Sequence, residues 1–222
     1  MDALARLAPL AGPLVAEVDA ALAGLGAPAA HPVWRLLGSV GATPADVVAH
    51  VAGLDPSRLR AAGADLRRHA EAYDASHDSA QLPGDPPWEG AAARLYATTA
   101  GALRDHVAGL ADRLRATASY VESLAGWQQS LRDELAQALA RVLTSEQAVR
   151  VRLRGARPAD PAALAAAVGA AADIGVALLT VVTTAAAVSR DLVRGAGSLE
   201  ELPFRPPAPT EPASHERTIR LS

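Results

Sequence analysis

The sequence contains no cysteine and no lysine, and it is poor in aromatic residues. The missing thiols exclude disulfides, thiolate metal sites and cysteine nucleophiles. All 21 basic residues are therefore arginines, and a phosphate-binding loop that ends in Lys-Ser or Lys-Thr is impossible. Because abundant Ala, Gly and Pro accompany the missing lysine, the composition indicates a GC-rich genome, and arginine content alone supports no functional argument.

Aromatic side chains cannot form the core, since they make up only 3% of the chain and the single Phe, Phe204, lies in a Pro-rich stretch. Runs of β-branched and aromatic residues, which are typical of strands, are nearly absent. The apolar half of the sequence is mainly Ala, Leu and Val, and Ala and Leu are among the best helix formers. The composition predicts an all-α fold, an elongated helical bundle.

Patterns that carry catalysis or metal binding are also missing. There is no Gly-x-Ser-x-Gly motif, and the histidines do not have metal-ligand spacing. His69 and His77, with Asp74 and Asp78 nearby, are typical of solvated helix faces. The net charge of −3 argues against a nucleic-acid surface. We therefore predict a protein that is not an enzyme and has no catalytic residue, cofactor or metal.

The N-terminal segment, residues 1–54, is predicted to hold helices and a connector. Residues 2–25 carry one apolar stripe at helical spacing, residues 26–42 are the connector, and Thr43-Pro44 begins a short helix. The first six residues lack a basic region, and Gly12-Pro13 interrupts the apolar run that follows. We expect no cleavable signal peptide.

A helical hairpin is predicted within residues 55–154. Its first helix spans residues 55–78, where Leu59, Leu66 and Tyr73 recur every seven residues. Residues 79–87 are too rich in proline to continue it.

The second helix of the predicted hairpin runs over residues 88–143, which is about 80 Å at ~1.5 Å per residue. Trp88-Glu89-Gly90 is the predicted turn, in which the Trp88 indole is buried between the helices and Gly90 allows a close passage of the chain. The alternating four- and three-residue steps of its apolar positions indicate a coiled-coil seam. On this helix the predicted packing or partner contacts are Leu103, Val107, Leu110, Leu114, Val121, Leu124, Leu131 and Leu135.

The C-terminal part is predicted to contain one Ala-rich helix and a tail. Within the segment 155–198, a break precedes a helix over residues 162–194, which we expect to fold back along residues 110–143. Its uninterrupted apolar stretch is about 16 residues, shorter than the ~20 that a membrane span needs, so a buried helix is favoured. Residues 199–222 are rich in proline and charge and are predicted to be disordered.

The central region resembles a known family. Residues 53–143 are similar to the WXG family of helical-hairpin proteins, which type VII (ESX) systems of Gram-positive bacteria, especially actinobacteria, secrete. The resemblance depends on Gly53-Leu54-Asp55-Pro56-Ser57-Arg58-Leu59-Arg60 and the helix to about His77, on Trp88-Glu89-Gly90-Ala91-Ala92-Ala93-Arg94-Leu95, and on the helix over Leu103–Leu114.

The resemblance implies a substrate, partner or adaptor of type VII secretion that acts by helix–helix association. The protein would then be cytoplasmic and exported by that system, and its partner would be another helical protein or a second copy. Many members carry a Tyr-x-x-x-Asp/Glu export signal, but Tyr73, Tyr96 and Tyr120 are followed four residues later by His, Ala and Leu. This departure argues against autonomous export, although family members often travel as pairs in which one partner carries the signal.

Two other functions fit the same sequence. A cytoplasmic coiled-coil scaffold unrelated to export would need the same seam. A membrane-active protein would use the helix at residues 162–194. A neighbouring gene for a type VII ATPase or a toxin would separate the first alternative from the family function.

Overall fold

The computed structural model describes residues 2–79, 88–153 and 160–199. Within these ranges the elements are all helical and no strand occurs, so the predicted all-α class is confirmed. The predicted tail beyond Leu199 and most of the two predicted breaks lie outside the described residues. The helices are α1 Ala3–Gly24, α2 Pro32–Val40, α3 Pro44–Gly53, α4 Pro56–Ser79, α5 Ala91–Leu143, α6 Glu146–Leu153 and α7 Pro161–Ala196, followed by a 3-10 turn, Gly197–Leu199.

Several helix starts follow from a capping residue and a proline. The Thr43 side chain accepts a hydrogen bond from the Asp46 amide, and the Asp46 carboxylate accepts one from the Thr43 amide, which forms a capping box at the start of α3. At α7 the Asp160 side chain accepts from the Ala162 amide, and Pro161 follows as the first helical residue. The fixed φ of proline suits this position, where an amide donor would have no partner in the helix.

Helices α2 and α6 were not predicted. At α2 the capping residue is His31, whose Nδ1 accepts a hydrogen bond from the Val33 amide at 3.3 Å. Histidine is not among the residues that usually cap helices, so this start gave no signal in the sequence. Only two residues separate α6 from α5, and the Ser145 hydroxyl accepts from the Ala148 amide at 3.2 Å to begin the new helix.

Two prolines, Pro9 and Pro13, lie inside α1. Since proline has no amide hydrogen, it cannot donate to the carbonyl four residues earlier. The helix nevertheless continues to Gly24, and its face containing Leu14 and Val18 is almost completely buried. Burial of this apolar face against the other helices therefore compensates for the two missing hydrogen bonds of α1.

The chain divides into two compact units, which cut across the predicted segment 55–154. One unit, called the first unit, comprises Met1–Arg60 and Tyr120–Gly197, and the second unit comprises Ala61–Ser119 together with Ser198–Ser222. In the first unit α7 packs against α1, α2, α3 and α6. The largest fully buried side chains of the core include Leu4, Leu14, Leu135, Leu139, Leu178 and Leu179.

Within the first unit α7 also runs beside the later part of α5. The Trp127 indole nitrogen donates a hydrogen bond to the Ala185 carbonyl oxygen at 3.0 Å, and Leu131 and Leu135 belong to the same buried cluster as Leu178. The C-terminal helix thus covers the half of α5 that lies in this unit.

Close packing around α7 depends on Gly175. A Cβ atom at this position would lie 3.1 Å from Val33 Cγ2, 3.5 Å from Leu22 Cδ1 and 3.7 Å from Pro44 Cγ. Helices α1, α2 and α3 therefore approach α7 at a point where a larger residue would have to displace them.

Arg132 is the only charged side chain that is fully buried in the described ranges. Its Nε and Nη2 atoms donate to the two carboxylate oxygens of Asp2, at 2.7 and 3.0 Å. Asp2 is also the capping residue of α1, because its Oδ1 accepts from the Ala5 amide at 2.9 Å. One carboxylate therefore joins the start of α1 to the C-terminal half of α5.

The remaining nitrogen of Arg132 binds the end of α3. Nη1 lies 2.8 Å from the carbonyl oxygens of Val51 and Ala52 and 2.7 Å from that of Leu54. Carbonyls at a helix C-terminus lack partners within the helix and carry partial negative charge. A cation from α5 satisfies them here.

We predict that Asp2→Asn destabilises the protein in a pH-dependent way. Hydrogen bonds from Arg132, then from the Ala5 amide, hold the pKa of Asp2 below its ordinary 3.8. The carboxylate therefore contributes stability above that pH, and this contribution disappears as the pH falls through the lowered pKa of the folded state. Since Asn caps helices as well as Asp does, the variant should keep the cap but lose the charge and one of the two oxygens that accept from Arg132, at a cost of about 2 kcal/mol at pH 7.

Denaturant unfolding of both proteins between pH 7 and pH 3 tests this prediction. The control is Glu146→Gln, because the ion pair of Glu146 with Arg150 is exposed and should contribute about 0–1 kcal/mol. A difference between Asp2→Asn and wild type that stays constant with pH would contradict the assigned role of the charge.

We also predict opposite outcomes for alanine at two glycines of α7. Gly169→Ala should raise the free energy of unfolding by about 1 kcal/mol, because alanine favours the helix and nothing lies within 4 Å of the new methyl group. Gly175→Ala gains the same helix preference but must displace Val33, which typically costs about 1–3 kcal/mol. Thermal and denaturant unfolding measure the difference between the two variants. Equal stabilisation by both changes would show that α2 can move away from α7 without a loss of stability.

Candidate functional site

The predicted seam residues are divided between the two units. Leu131 and Leu135, in the first unit, are 5% and 0% exposed and form part of its core. The other seam positions of this unit, Leu59, Val121 and Leu124, are half-buried. Part of the predicted seam is therefore the interior of the protein and is unavailable to a partner.

In the second unit the seam residues remain open to water. Tyr73 and Leu103 are 40% and 42% exposed. Leu66, Val107, Leu110 and Leu114 are half-buried. An ion pair between Asp74 and Arg115 joins α4 to α5 in this unit. The fully buried apolar side chains of its described residues are all alanines: Ala70, Ala93, Ala100, Ala111 and Ala118.

One row of buried residues on α5 lies one position away from the predicted seam. These residues recur every seven positions, and three of them directly follow the predicted seam residues Leu110, Leu124 and Leu131. In the second unit the row consists of alanines, and because small side chains let helices approach closely, the leucines there lie at its flanks. The residues at these positions are Ala111, Ala118, Ala125, Arg132 and Leu139.

Trp88 and Gly90 lie immediately before α5. The Trp88 side chain is 47% exposed and packs on Tyr96, with ring centroids 5.5 Å apart and planes inclined by 59°. The expectation that this indole is buried is therefore wrong, because it rests on the flank of α5 rather than between helices. Gly90 has φ +106°, and its carbonyl accepts from the Arg94 amide at 3.2 Å, so the first turn of α5 uses a backbone conformation that favours glycine.

The histidines and carboxylates of the described ranges form no cluster that could hold a metal ion. The exposed His69 Nδ1 lies 2.7 Å from the Asp65 carbonyl oxygen of its own helix. Burial raises the pKa of Asp19, although hydrogen bonds from Thr43 and from the Ala45 amide oppose the rise. The Asp19 carboxylate accepts the Ala45 amide at the first turn of α3, so its position indicates a capping role and not a reactive one.

Helices α1 and α7 are both long and apolar enough to cross a membrane. The most apolar window of α7 is half buried within the protein, and that of α1 is one third buried. Buried core helices have the same length and composition, so these two helices are weak evidence for membrane contact.

An open, mainly apolar groove lies between α5 and α7 in the first unit, and no pattern in the sequence predicts it. It has a volume of about 360 Å³, and its walls include Trp127, Leu131 and Glu134 of α5 and Val188 and Leu192 of α7. We call it the α5–α7 groove. The groove forms because α7 lies along α5, and the periodicity of a single helix does not reveal how two helices lie together.

We predict that Trp88 contributes less stability than Trp127. Trp88→Ala should cost about 1 kcal/mol, the usual value of an aromatic pair, because the indole is almost half exposed. Trp127→Ala should cost about 3 kcal/mol, since it removes packing between two helices and the hydrogen bond to the Ala185 carbonyl. Denaturant unfolding of both variants measures this difference, and an equal cost would mean that Trp88 is as tightly packed as Trp127.

Comparisons with known proteins identify no family for this chain. No family model matches it, and no curated protein or solved structure does so either. Function must therefore be inferred from the chemistry and geometry of the chain's own residues.

Proposed function

We propose that this is a non-enzymatic helical protein that binds another helical chain through its second unit, and that this association links it to type VII secretion as a substrate, partner or adaptor. One observation carries the proposal. Among the described residues of the second unit, every fully buried residue is Ala or Gly, whereas each Leu and Val is at least partly open to water.

Alanine contacts alone stabilise a helix pair weakly. Burial of apolar surface contributes about 25 cal/mol per Å², and a methyl group has little surface to bury. Isolated helices are marginal in water, so most of their stability must come from packing. Leu103, Leu110 and Leu114 retain apolar surface that a further helix could cover, which makes association favourable.

The arrangement of α4 and α5 supports the resemblance to WXG hairpins. Helix α4 ends at Ser79, Trp88-Glu89-Gly90 directly precedes α5, and the ion pair from Asp74 to Arg115 joins the two helices. Asp74 lies near the end of α4, whereas Arg115 lies well inside α5. Leu103, in the N-terminal part of α5, is 42% exposed and is therefore accessible to a partner.

An export experiment tests this proposal. The chromosomal copy in the source bacterium receives an epitope tag, and the culture medium is compared between the parent strain and a strain that lacks the membrane ATPase of a type VII system. We expect the tagged protein in the medium of the parent only. The native strain supplies the partner, which matters because this chain lacks a Tyr-x-x-x-Asp/Glu signal.

Matched variants test the role of the second unit. Leu103→Glu should lower export by about tenfold, because a carboxylate on the proposed contact surface would be desolvated on binding. Val149→Glu is the control, since Val149 is 52% exposed and lies on α6 in the first unit. Equal export of the two variants, or export without the ATPase, would contradict the proposal.

The missing export signal favours a second candidate, a cytoplasmic scaffold that uses the same helical surface. This candidate predicts that the tagged protein stays in the cells of both strains. A source genome without a type VII ATPase would also favour it.

A further inference from the structure

The α5–α7 groove lies in the first unit and has no role in the proposed contact through the second unit. We propose that the groove is a docking site for a helix of a partner protein, one that inserts apolar side chains along the groove and places an Arg or Lys side chain against Glu134. This inference does not depend on type VII secretion, and either could be correct without the other.

Most of the surface inside the groove is apolar, although Ser123, Ser130 and Thr184 also line it. The Trp127 indole nitrogen is already bonded to the Ala185 carbonyl at 3.0 Å, so the ring needs no polar ligand and offers an apolar surface. Leu131 is buried at the inner side of the groove, whereas Val188 is 53% exposed at its opening. An apolar side chain that enters would bury Val188 and the open part of Trp127.

The dimensions of the groove suit the side chains of a helix. From Trp127 to Glu134 along α5 the distance is about 10 Å at ~1.5 Å per residue, or two helical turns. A partner helix that carries apolar residues one turn apart would place both within this length. The volume of about 360 Å³ is near the lower end of small-ligand pockets, so the side chains fit inside while the body of the helix stays outside.

Charge determines which kind of helix fits. Among the residues that the structure describes, Glu134 is the only charged one that lines the groove, and it is exposed. It has no hydrogen bond or ion pair within the described ranges, whereas its neighbour Asp133 accepts a hydrogen bond from Gln129 at 3.0 Å. A partner with a basic residue two turns from its first apolar anchor would therefore complement the groove, and an acidic one would be repelled.

The test uses the full-length chain and two synthetic peptides. Each is a fluorescein-labelled, alanine-based helix of about 14 residues with Leu at positions i and i+4. One carries Arg at position i+7, and the other carries Glu there. Fluorescence anisotropy measures binding, and we expect a dissociation constant on the order of 100 µM or below for the Arg peptide and at least tenfold weaker binding for the Glu peptide.

Variants of the protein locate the binding site. Val188→Arg should weaken binding of the Arg peptide at least tenfold, because it fills the opening with a like charge. Val193→Arg is the matched control on the same helix, since Val193 is 66% exposed and does not line the groove, and it should bind as wild type does. Glu134→Arg should reverse the preference, so that the Glu peptide binds more tightly than the Arg peptide.

Several results would overturn the inference. The inference is wrong if neither peptide binds at about 1 mM, if Val188→Arg and Val193→Arg have equal effects, or if Glu134→Arg leaves the peptide preference unchanged. Sedimentation of the full chain provides a further test: if Val188→Arg abolishes self-association, the groove holds a second copy of this chain and not a partner helix. Because no secretion readout is involved, these outcomes are independent of the export experiment.

Discussion

The first unit depends on one buried guanidinium group. A charge without partners in an apolar interior is so unfavourable that the fold must bring acceptors to Arg132. The acceptors are the Asp2 carboxylate, which begins α1, and three carbonyls at the end of α3. The need to satisfy this group therefore constrains where two other helices begin and end, and the hydrophobic core packs within that constraint.

The two units show two different uses of the same apolar residues. In the first unit leucines from α1, α5 and α7 interlock in the core, and Gly175 allows α7 to approach its neighbours closely. In the second unit alanines take the innermost positions and leucines stay at the flanks. In a leucine core the large apolar side chains bury one another. An alanine stripe lets two helices approach closely but leaves the apolar surface of the neighbouring leucines exposed beside the contact. The second unit is therefore the part of the chain in which leucine surface stays open beside the helix contact.

Much of the helical architecture could be predicted from the sequence, because helix starts leave a local signature. Thr43-Pro44 marks the start of α3, and the heptad spacing marks the length of α5. The inner face of α5 could not be predicted in the same way. Leu110 and Ala111 are adjacent, and only the closeness of the neighbouring helix decides which of them lies innermost.

The features that matter most for function left weaker signals. Arg132 is one of 21 arginines, and three of its acceptors are backbone carbonyls, which no side-chain pattern reveals. The α5–α7 groove requires two helices that are far apart in sequence. The capping role of His31 is unusual for a histidine. Trp88 was conspicuous in the sequence, yet its position just before α5 leaves it on the surface.

The prolines inside α1 have a consequence for the order of folding. A helix that lacks two of its internal amide donors gains little from forming alone, whereas α5, with its long run of good helix formers, can form early from local contacts. We infer that α1 acquires its structure only when α3, α5 and α7 present a surface for it. The contact of Asp2 with Arg132 spans 130 residues, so its formation closes a very long loop, at an entropic cost that the ion pair and the packing of α1 must offset.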